Sequence, residues 1–152
     1  MVNILFNLAL PHVAVFGQKD AQQVAVLKRM VQDLHIPVEM AVAPIVRESD
    51  GLALSSRNQY LSAEERAAAP GIHAALCEIS EKIATGTESA EALAEFFMNK
   101  LGSDPIFEPE YIEIVDNATM LPLKKIARGS TLIAVAVRMT QSRTRLIDNI
   151  VV

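Results

Sequence analysis

What the sequence lacks already excludes several kinds of protein. A single cysteine, Cys77, rules out an internal disulfide framework and fits a reducing compartment. There is no excess of positive charge: 14 Lys and Arg against 18 Asp and Glu leave a net charge of −4 and a pI near 5.4. The basic residues fall in short groups, Lys28-Arg29, Lys124-Lys125 and Arg143 to Arg145, which read as solvated faces. Phosphate neutralisation along a duplex needs a clustered excess, so no nucleic-acid partner is expected. Long apolar runs are also missing. The longest, Leu132 to Val137, is far too short to cross a bilayer, and no basic-then-apolar leader opens the chain. No membrane association, and a soluble cytoplasmic protein, are therefore expected. His12, His35 and His73 lack metal-ligand spacing, so no metal site is expected and structural roles are assigned to each. Internal repeats and low-complexity tracts are absent.

What is present suits a folded core. Hydrophobic residues make up 51% of the 152 and charged residues 21%, enough for one ordinary domain or two small ones. His12 to Phe16 is a short apolar run in which Val13, Val15 and Phe16 suit a buried strand. It stops at Gly17, and Asp20 sits where a helix N-cap belongs. Val24, Leu27, Val31 and Leu34 then recur at three- and four-residue intervals, the stripe of an amphipathic helix that Pro37 ends. Val38 to Val42 reads as a second strand closed by Pro44. Strand, helix and strand in this order predict one parallel βαβ unit. Met1 to Leu10 is apolar enough to be the tail of an earlier helix, and two strands are few for a parallel sheet, which needs cover on both faces.

After Asn58 the alternation stops. Ser62-Ala63-Glu64-Glu65 is a capping box, opening an alanine-rich helix that Pro70 must kink or restart. Ile72, Leu76, Ile79 and Ile83 stripe a second helix, ended by Gly86; Leu93, Phe96, Phe97 and Leu101 stripe a third. Cys77 is expected to be a buried, inert thiol. Glu64, Glu65, Glu78 and Glu81 are expected on the solvent side, and Met30 and Phe96 at core spacing. Tyr111 to Val115, Thr131 to Met139 and Arg145 to Val152 predict strands, the last two joined by a hairpin loop at 140–143. The expected fold class is thus α/β: a βαβ half of a Rossmann-like domain, then a small α+β domain of helices and a mostly antiparallel sheet. The expected divisions are residues 1–53, 54–58 and 59–152: the βαβ part, a connecting segment and the α+β part.

Two polar segments could carry chemistry. Gly17-Gln18-Lys19-Asp20, with Gln22 and Gln23 after it, leaves the carboxyl end of a parallel strand and enters a helix. Ligands bind in that position in open α/β sheets, and a helix start offers free amides and a positive dipole end to an anion. Gly17 would admit a close backbone approach, Lys19 would add a point charge, and Gln23 could orient a polar substrate. No glycine-rich phosphate fingerprint is present, and the residues alone equally allow Asp20 to be only a cap and Lys19 to be solvated. The second segment runs from Val46-Arg47-Glu48-Ser49-Asp50-Gly51 to Leu54-Ser55-Ser56-Arg57-Asn58. Two adjacent hydroxyls and a guanidinium suit a triphosphate or its leaving pyrophosphate, because the planar fork grips two oxygens at once. A polar linker with a turn at Asp50-Gly51 is the plainer alternative.

The two segments together, with Leu5-Phe6-Asn7, Asp50-Gly51-Leu52-Ala53 and Arg145-Leu146-Ile147-Asp148-Asn149, resemble the pantothenate synthetases along nearly the whole chain. In that family a Gly-Glu-Lys-Asp loop and a Leu-Ser-Ser-Arg segment contact ATP. The resemblance implies an ATP- and Mg²⁺-using ligase of the coenzyme A pathway that joins pantoate to β-alanine through a pantoyl-adenylate, releasing pyrophosphate and then AMP. By the same resemblance Gly17, Gln18, Lys19 and Asp20 would line the ATP site, Gln23 would bind pantoate, Val46 would meet the adenine, and Leu54, Ser55, Ser56 and Arg57 would hold the phosphates. Lys19, Ser55, Ser56 and Arg57 would be the catalytic set, and a homodimer is implied for the complete enzyme. There are two departures. Gln18 stands where the family usually has glutamate, keeping the hydrogen-bonding shape without the charge. The family's histidine-bearing Gly-His loop has no counterpart, so the resemblance is to the carboxyl-terminal part; a non-catalytic folding or association module of such an enzyme is the alternative.

Overall fold

The computed structural model describes residues 1–152 and divides into two units, Met1–Ile45 and Val46–Val152. In the first, the apolar opening segment forms helix α1 (Val2–Ala9), whose one buried side chain is Phe6. The Phe6 ring meets that of Phe16 edge to face, with centroids 6.4 Å apart, a favoured aromatic geometry. Strand β1 (Val13–Gly17) runs parallel to β2 (Glu39–Ala43), in register from Val13 opposite Glu39 to Gly17 opposite Ala43. Between them lies α2 (Ala21–Asp33), burying Ala21, Val24 and Leu27. The helix stops as its sequence requires. His35 adopts a left-handed backbone (φ 49°), its amide reaching Gln32 O and that of Ile36 reaching Val31 O, so two terminal carbonyls are satisfied before Pro37.

The predicted stripe is only half used. Val31 and Met30 are half-buried, and Leu34 is exposed at the helix end. Val13 and Val15 also depart from expectation, being 49% and 65% exposed. Alternation along β1 sends Phe16 to the side where Phe6 lies and the two valines to the opposite face.

The second unit contains α3 (Ala63–Ala68), α4 (Gly71–Ala84), α5 (Ala90–Gly102), and strands β3 (Phe107–Asp116), β4 (Thr131–Met139) and β5 (Arg145–Val151). Pro70 separates α3 from α4, standing at a helix start where its missing amide costs nothing. Gly86 ends α4 at φ 109°, with its amide on Ile83 O and that of Thr87 on Lys82 O, a left-handed stop that favours glycine. The Ser89 hydroxyl caps α5 by accepting from the Ala92 amide. β4 is the central strand of an antiparallel sheet ordered β3-β4-β5. Ile72, Leu76, Ile79 and Ile83 of α4 and Leu93, Phe97 and Leu101 of α5 pack with Ile133, Val135, Val137 and Met139 of β4 into one core; Phe96 lies at its edge, partly buried. β3 begins before the alternating Tyr111 to Val115 because a bulge between Pro109 and Tyr111 absorbs the proline, which cannot donate to the ladder. The bulged Glu110 accepts from both Arg138 and Arg145.

Two expectations are overturned here. Glu65 is not on the solvent side; it is fully buried. Its Oε2 accepts from the Ser62 amide (3.0 Å), completing the capping box, while Oε1 accepts from the Gln141 and Ser142 amides (2.9 Å each). One carboxylate thus caps α3 and also satisfies the amides of the β4–β5 loop, which is why it can be buried ionised. Cys77 is exposed rather than buried. Four residues on from His73, it lies off the Ile72-Leu76-Ile79 stripe that faces the core.

Candidate functional site

In the first unit the candidate residues gather where β1 ends. Gly17 is the last strand residue, extended at φ −78°, and a side chain built there would meet nothing within 4 Å. Gln18, Lys19 and Asp20 form a single 3-10 turn that runs into α2, and Gln23 stands exposed in the first turn of that helix. Gln18 and Lys19 are half-buried, and each takes part in an interaction of its own. The sequence placed an N-cap at Asp20, and the position is right, but its carboxylate makes no cap bond. Its backbone (φ −96°, ψ 58°) lacks the extended geometry that swings a capping side chain over the next amides, because the preceding turn has already begun to coil. The exposed Asp20 carboxylate therefore points to no helix amide.

In the second unit, residues 46–58 fold back on themselves. Glu48 N donates to Leu52 O and Leu54 N to Val46 O, with Gly51 N donating to Glu48 O at the turn. Gly51 is required twice over. Its φ is 94°, and an added Cβ would come within 3.1 Å of the His73 ring. Leu52 and Ala53 turn inward to the core, while Val46 and Leu54 stay exposed. Beyond them Ser55 caps a 3-10 turn (Ser56–Tyr60), its hydroxyl accepting from the Arg57 amide at 3.2 Å. Ser56 and Arg57 face solvent. The resulting arc carries hydroxyls and a guanidinium outward.

Beneath this arc lies a polar frame that the sequence reading did not find. The register of β5 against β4 places Asp148 opposite Val135, on the core face of the sheet, where a carboxylate cannot remain unpaired. Arg47 answers it with two nearly parallel bonds, Nη1 to Oδ2 at 2.7 Å and Nη2 to Oδ1 at 2.9 Å, and donates also to Gly51 O at 3.1 Å. Arg66 of α3 bonds Asp50 and Glu48 at 2.6 Å each. Asn58 donates to Glu48 Oε1 (3.0 Å) and to Ala53 O (3.2 Å). The Asn58 amide and the Arg66 guanidinium hold the Glu48 carboxyl below its ordinary range, and Arg66 does the same for Asp50. His73 Nδ1 lies 3.8 Å from Asp148 Oδ2 without a hydrogen bond. Burial, and then the Arg47 charge, push the imidazole below its usual value against the pull of Asp148, so it is neutral at pH 7 and the contact is not an ion pair. The sequence singled out the Val46 to Asn58 segment and the Arg145 to Asn149 patch separately, and nothing local pairs Arg47 with a residue 101 positions away.

Fold and site together define a two-unit α/β protein with a polar loop at the end of a parallel strand in one unit and an outward-facing hydroxyl and guanidinium arc in the other. The family model described as pantoate-beta-alanine ligase matches residues 1–151, and the chain belongs to that family. It is 44% identical over 151 residues to the pantothenate synthetase of Herpetosiphon aurantiacus, covering 99% of this chain and 54% of that protein. It superposes on the pantothenate synthetase of Thermus thermophilus with a TM-score of 0.89 at 46% identity, covering 98% of this chain and 52% of the other. The pantoate-beta-alanine ligase of Francisella tularensis, solved with beta-gamma ATP and beta-alanine, matches at a TM-score of 0.64 and 26% identity over 99% of this chain and 47% of that one. The chain spans about half the length of the curated relatives it matches.

Proposed function

We propose that this chain serves the ATP-dependent condensation of pantoate with β-alanine. The pantoate carboxylate attacks the α-phosphorus of ATP and pyrophosphate leaves, giving pantoyl-adenylate. The β-alanine amine then attacks the activated carbonyl carbon, and AMP leaves as the amide forms. Mg²⁺ travels with the triphosphate as part of the substrate and spreads its charge.

The observation that carries this reading is the state of Arg57. Each other arginine is committed: Arg29 to Asp33, Arg47 to Asp148, Arg66 to Glu48 and Asp50, Arg128 to the Ile83 carbonyl, Arg143 to Glu108, and Arg138 and Arg145 to Glu110. Arg57 is exposed with its guanidinium uncommitted, next to the Ser55 and Ser56 hydroxyls. A fork and two adjacent hydroxyls form a donor set for phosphate oxygens. Leu54, Ser55, Ser56 and Arg57 hold the phosphates in this reading and Val46 meets the adenine. Gly17, Gln18, Lys19 and Asp20 serve the nucleotide and Gln23 the pantoate. Donors aimed at charge developing in the transition state contribute ~100- to 1000-fold each. In this reading residues 54–58 contact the phosphates and 59–152 act as a lid that keeps water from the adenylate, with the hinge at the Ile45–Val46 boundary rather than within 54–58, because Arg47, Asn58 and Arg66 tie residues 47–58 to the second unit.

The test is pantoate-dependent pyrophosphate release from MgATP, by the 152-residue chain alone and by the chain co-expressed with the remaining length of a family relative. Release in either, falling at least ~100-fold in Arg57→Ala, supports the reading. Release unaffected by that substitution removes Arg57 from the chemistry, and no release in either preparation refutes the ligase assignment.

A further inference from the structure

The Leu54–Arg57 arc has no packing of its own to hold it, since Leu54 is 58% exposed and Ser56 and Arg57 face solvent. It is nevertheless bracketed at both ends. On the upstream side the Val46–Leu54 backbone pair closes a loop whose Gly51 carbonyl and whose Arg47 guanidinium meet. On the downstream side Asn58 reaches back to Ala53 O and Glu48, so one side chain joins the two ends of the arc. The brackets are tied to the rest of the second unit through the buried Asp148 of β5 and the half-buried Arg66 of α3. We propose that Arg47, Asp148, Asn58 and Arg66 are positioning residues that hold this arc in the shape that presents Ser55, Ser56 and Arg57 to phosphate. The proposal rests on the phosphate-holding reading of the arc given above.

Two physical points favour a positioning role over a merely stabilising one. Arg47 and Asp148 are 19% and 5% exposed, and desolvating two charges at such a site cancels most of what their attraction returns. An apolar pair of similar volume would serve the fold as well. What such a pair cannot reproduce is direction. The planar fork fixes the guanidinium against the carboxylate and leaves one N–H aimed at the Gly51 carbonyl, so β5 dictates where the turn sits. Asn58, adjacent to Arg57 in the chain, transmits that placement to the arc.

The experiment uses the full 152-residue chain with Arg47→Met and Asp148→Leu together, and Arg47→Lys alone. Amide hydrogen exchange is followed at Leu54 and Asn58, whose amides donate to Val46 O and Ser55 O, and at the central strand β4 as the fold control. MgATP binding is measured in parallel. The expected result is unchanged protection of β4, exchange at Leu54 and Asn58 at least tenfold faster, and MgATP affinity at least tenfold weaker in the double variant. Arg47→Lys, which keeps the charge but not the fork, should fall between. Unchanged exchange at Leu54 and Asn58 with β4 intact overturns the proposal. If the double variant loses β4 protection, Arg47→Lys decides on the same criterion. Should the unaltered chain not bind MgATP, the phosphate reading fails for it, while the exchange comparison still decides whether the Arg47–Asp148 pair holds the arc.

Discussion

Replacing Glu65 tests whether one buried carboxylate joins the cap of α3 to the β4–β5 loop. In Glu65→Ala three backbone amides lose a charged acceptor, those of Ser62, Gln141 and Ser142. Hydrogen bonds to charged groups contribute about 1.5–3 kcal/mol each, and water entering the vacated space recovers part, so a loss of about 3–5 kcal/mol is expected. For a unit of this size that lowers Tm by about 10 °C or more. Glu65→Gln keeps the volume and can still accept from Gln141 and Ser142, but turns an NH2 toward the Ser62 amide, and should cost about 2 kcal/mol. The pH dependence is diagnostic. Burial is the largest single influence on Glu65 and raises its pKa, but the Ser142 and Ser62 amides, the Ser142 side chain and the Gln141 amide together prevail and hold it below the ordinary carboxylate range. A carboxyl depressed in the folded state binds its proton more readily when unfolded. The stabilisation is therefore complete above the unfolded pKa of about 4.5 and disappears as pH falls through the lower folded value. Urea unfolding followed by far-UV circular dichroism at pH 7 and at steps below pH 4.5 reads this directly. The gap between the wild-type chain and Glu65→Gln should be full at pH 7 and shrink on acidification. A gap under about 0.5 kcal/mol at pH 7, or one independent of pH, refutes the reasoning.

Gly51→Ala places a Cβ within 3.1 Å of the His73 ring at a residue whose φ is 94°, so a destabilisation of about 1–3 kcal/mol in urea unfolding is expected. Retention of wild-type stability would show that the turn rearranges freely. Cys77 is exposed, and its thiol should react stoichiometrically with a disulfide reagent in the native chain; reaction only after denaturant would contradict that exposure. Lys19→Ala should slow adenylation by ~100-fold or more in the preparation that releases pyrophosphate, and near-normal release would remove Lys19 from the mechanism.

Much of the fold was legible because the deciding forces are local. The βαβ unit followed from Val24 and Leu27 at helical spacing between two short apolar runs, and the breaks at Pro37, Pro70 and Gly86 from backbone chemistry that no tertiary contact can override. The Glu65 error came where a residue's fate depends on distant chain. Glu65 matched the solvent-facing pattern of its neighbours, yet it is buried because a loop 76 residues later brings two amides to it. Cys77 sits among apolar neighbours in sequence but lies off the stripe that faces the core. The Leu54 to Arg57 and Gly17 to Asp20 segments were visible as polar clusters at chain reversals, whereas the frame under the first was not. Arg47 and Asp148 are each ordinary alone, and only the β4–β5 register reveals the buried carboxylate that needs a partner.

The placement of charge is consistent with the phosphate-holding reading of the Leu54–Arg57 arc in an acidic chain. With a net charge of −4, the phosphate-holding reading relies on short-range donors rather than long-range attraction, and it requires them to remain unneutralised by the protein's own carboxylates. In the second unit the paired arginines have carboxylate partners: Arg47 has Asp148, Arg66 has Glu48 and Asp50, and Arg138 and Arg145 share Glu110. Those carboxylates are consequently occupied, and none pairs with Arg57, ten residues beyond Arg47 and nine before Arg66 in the same folded segment. The frame therefore acts in two ways at once. In the proposed arrangement it holds the backbone that carries Arg57, and Arg66 engages Glu48 and Asp50, two carboxylates of the same folded segment, so that neither pairs with Arg57.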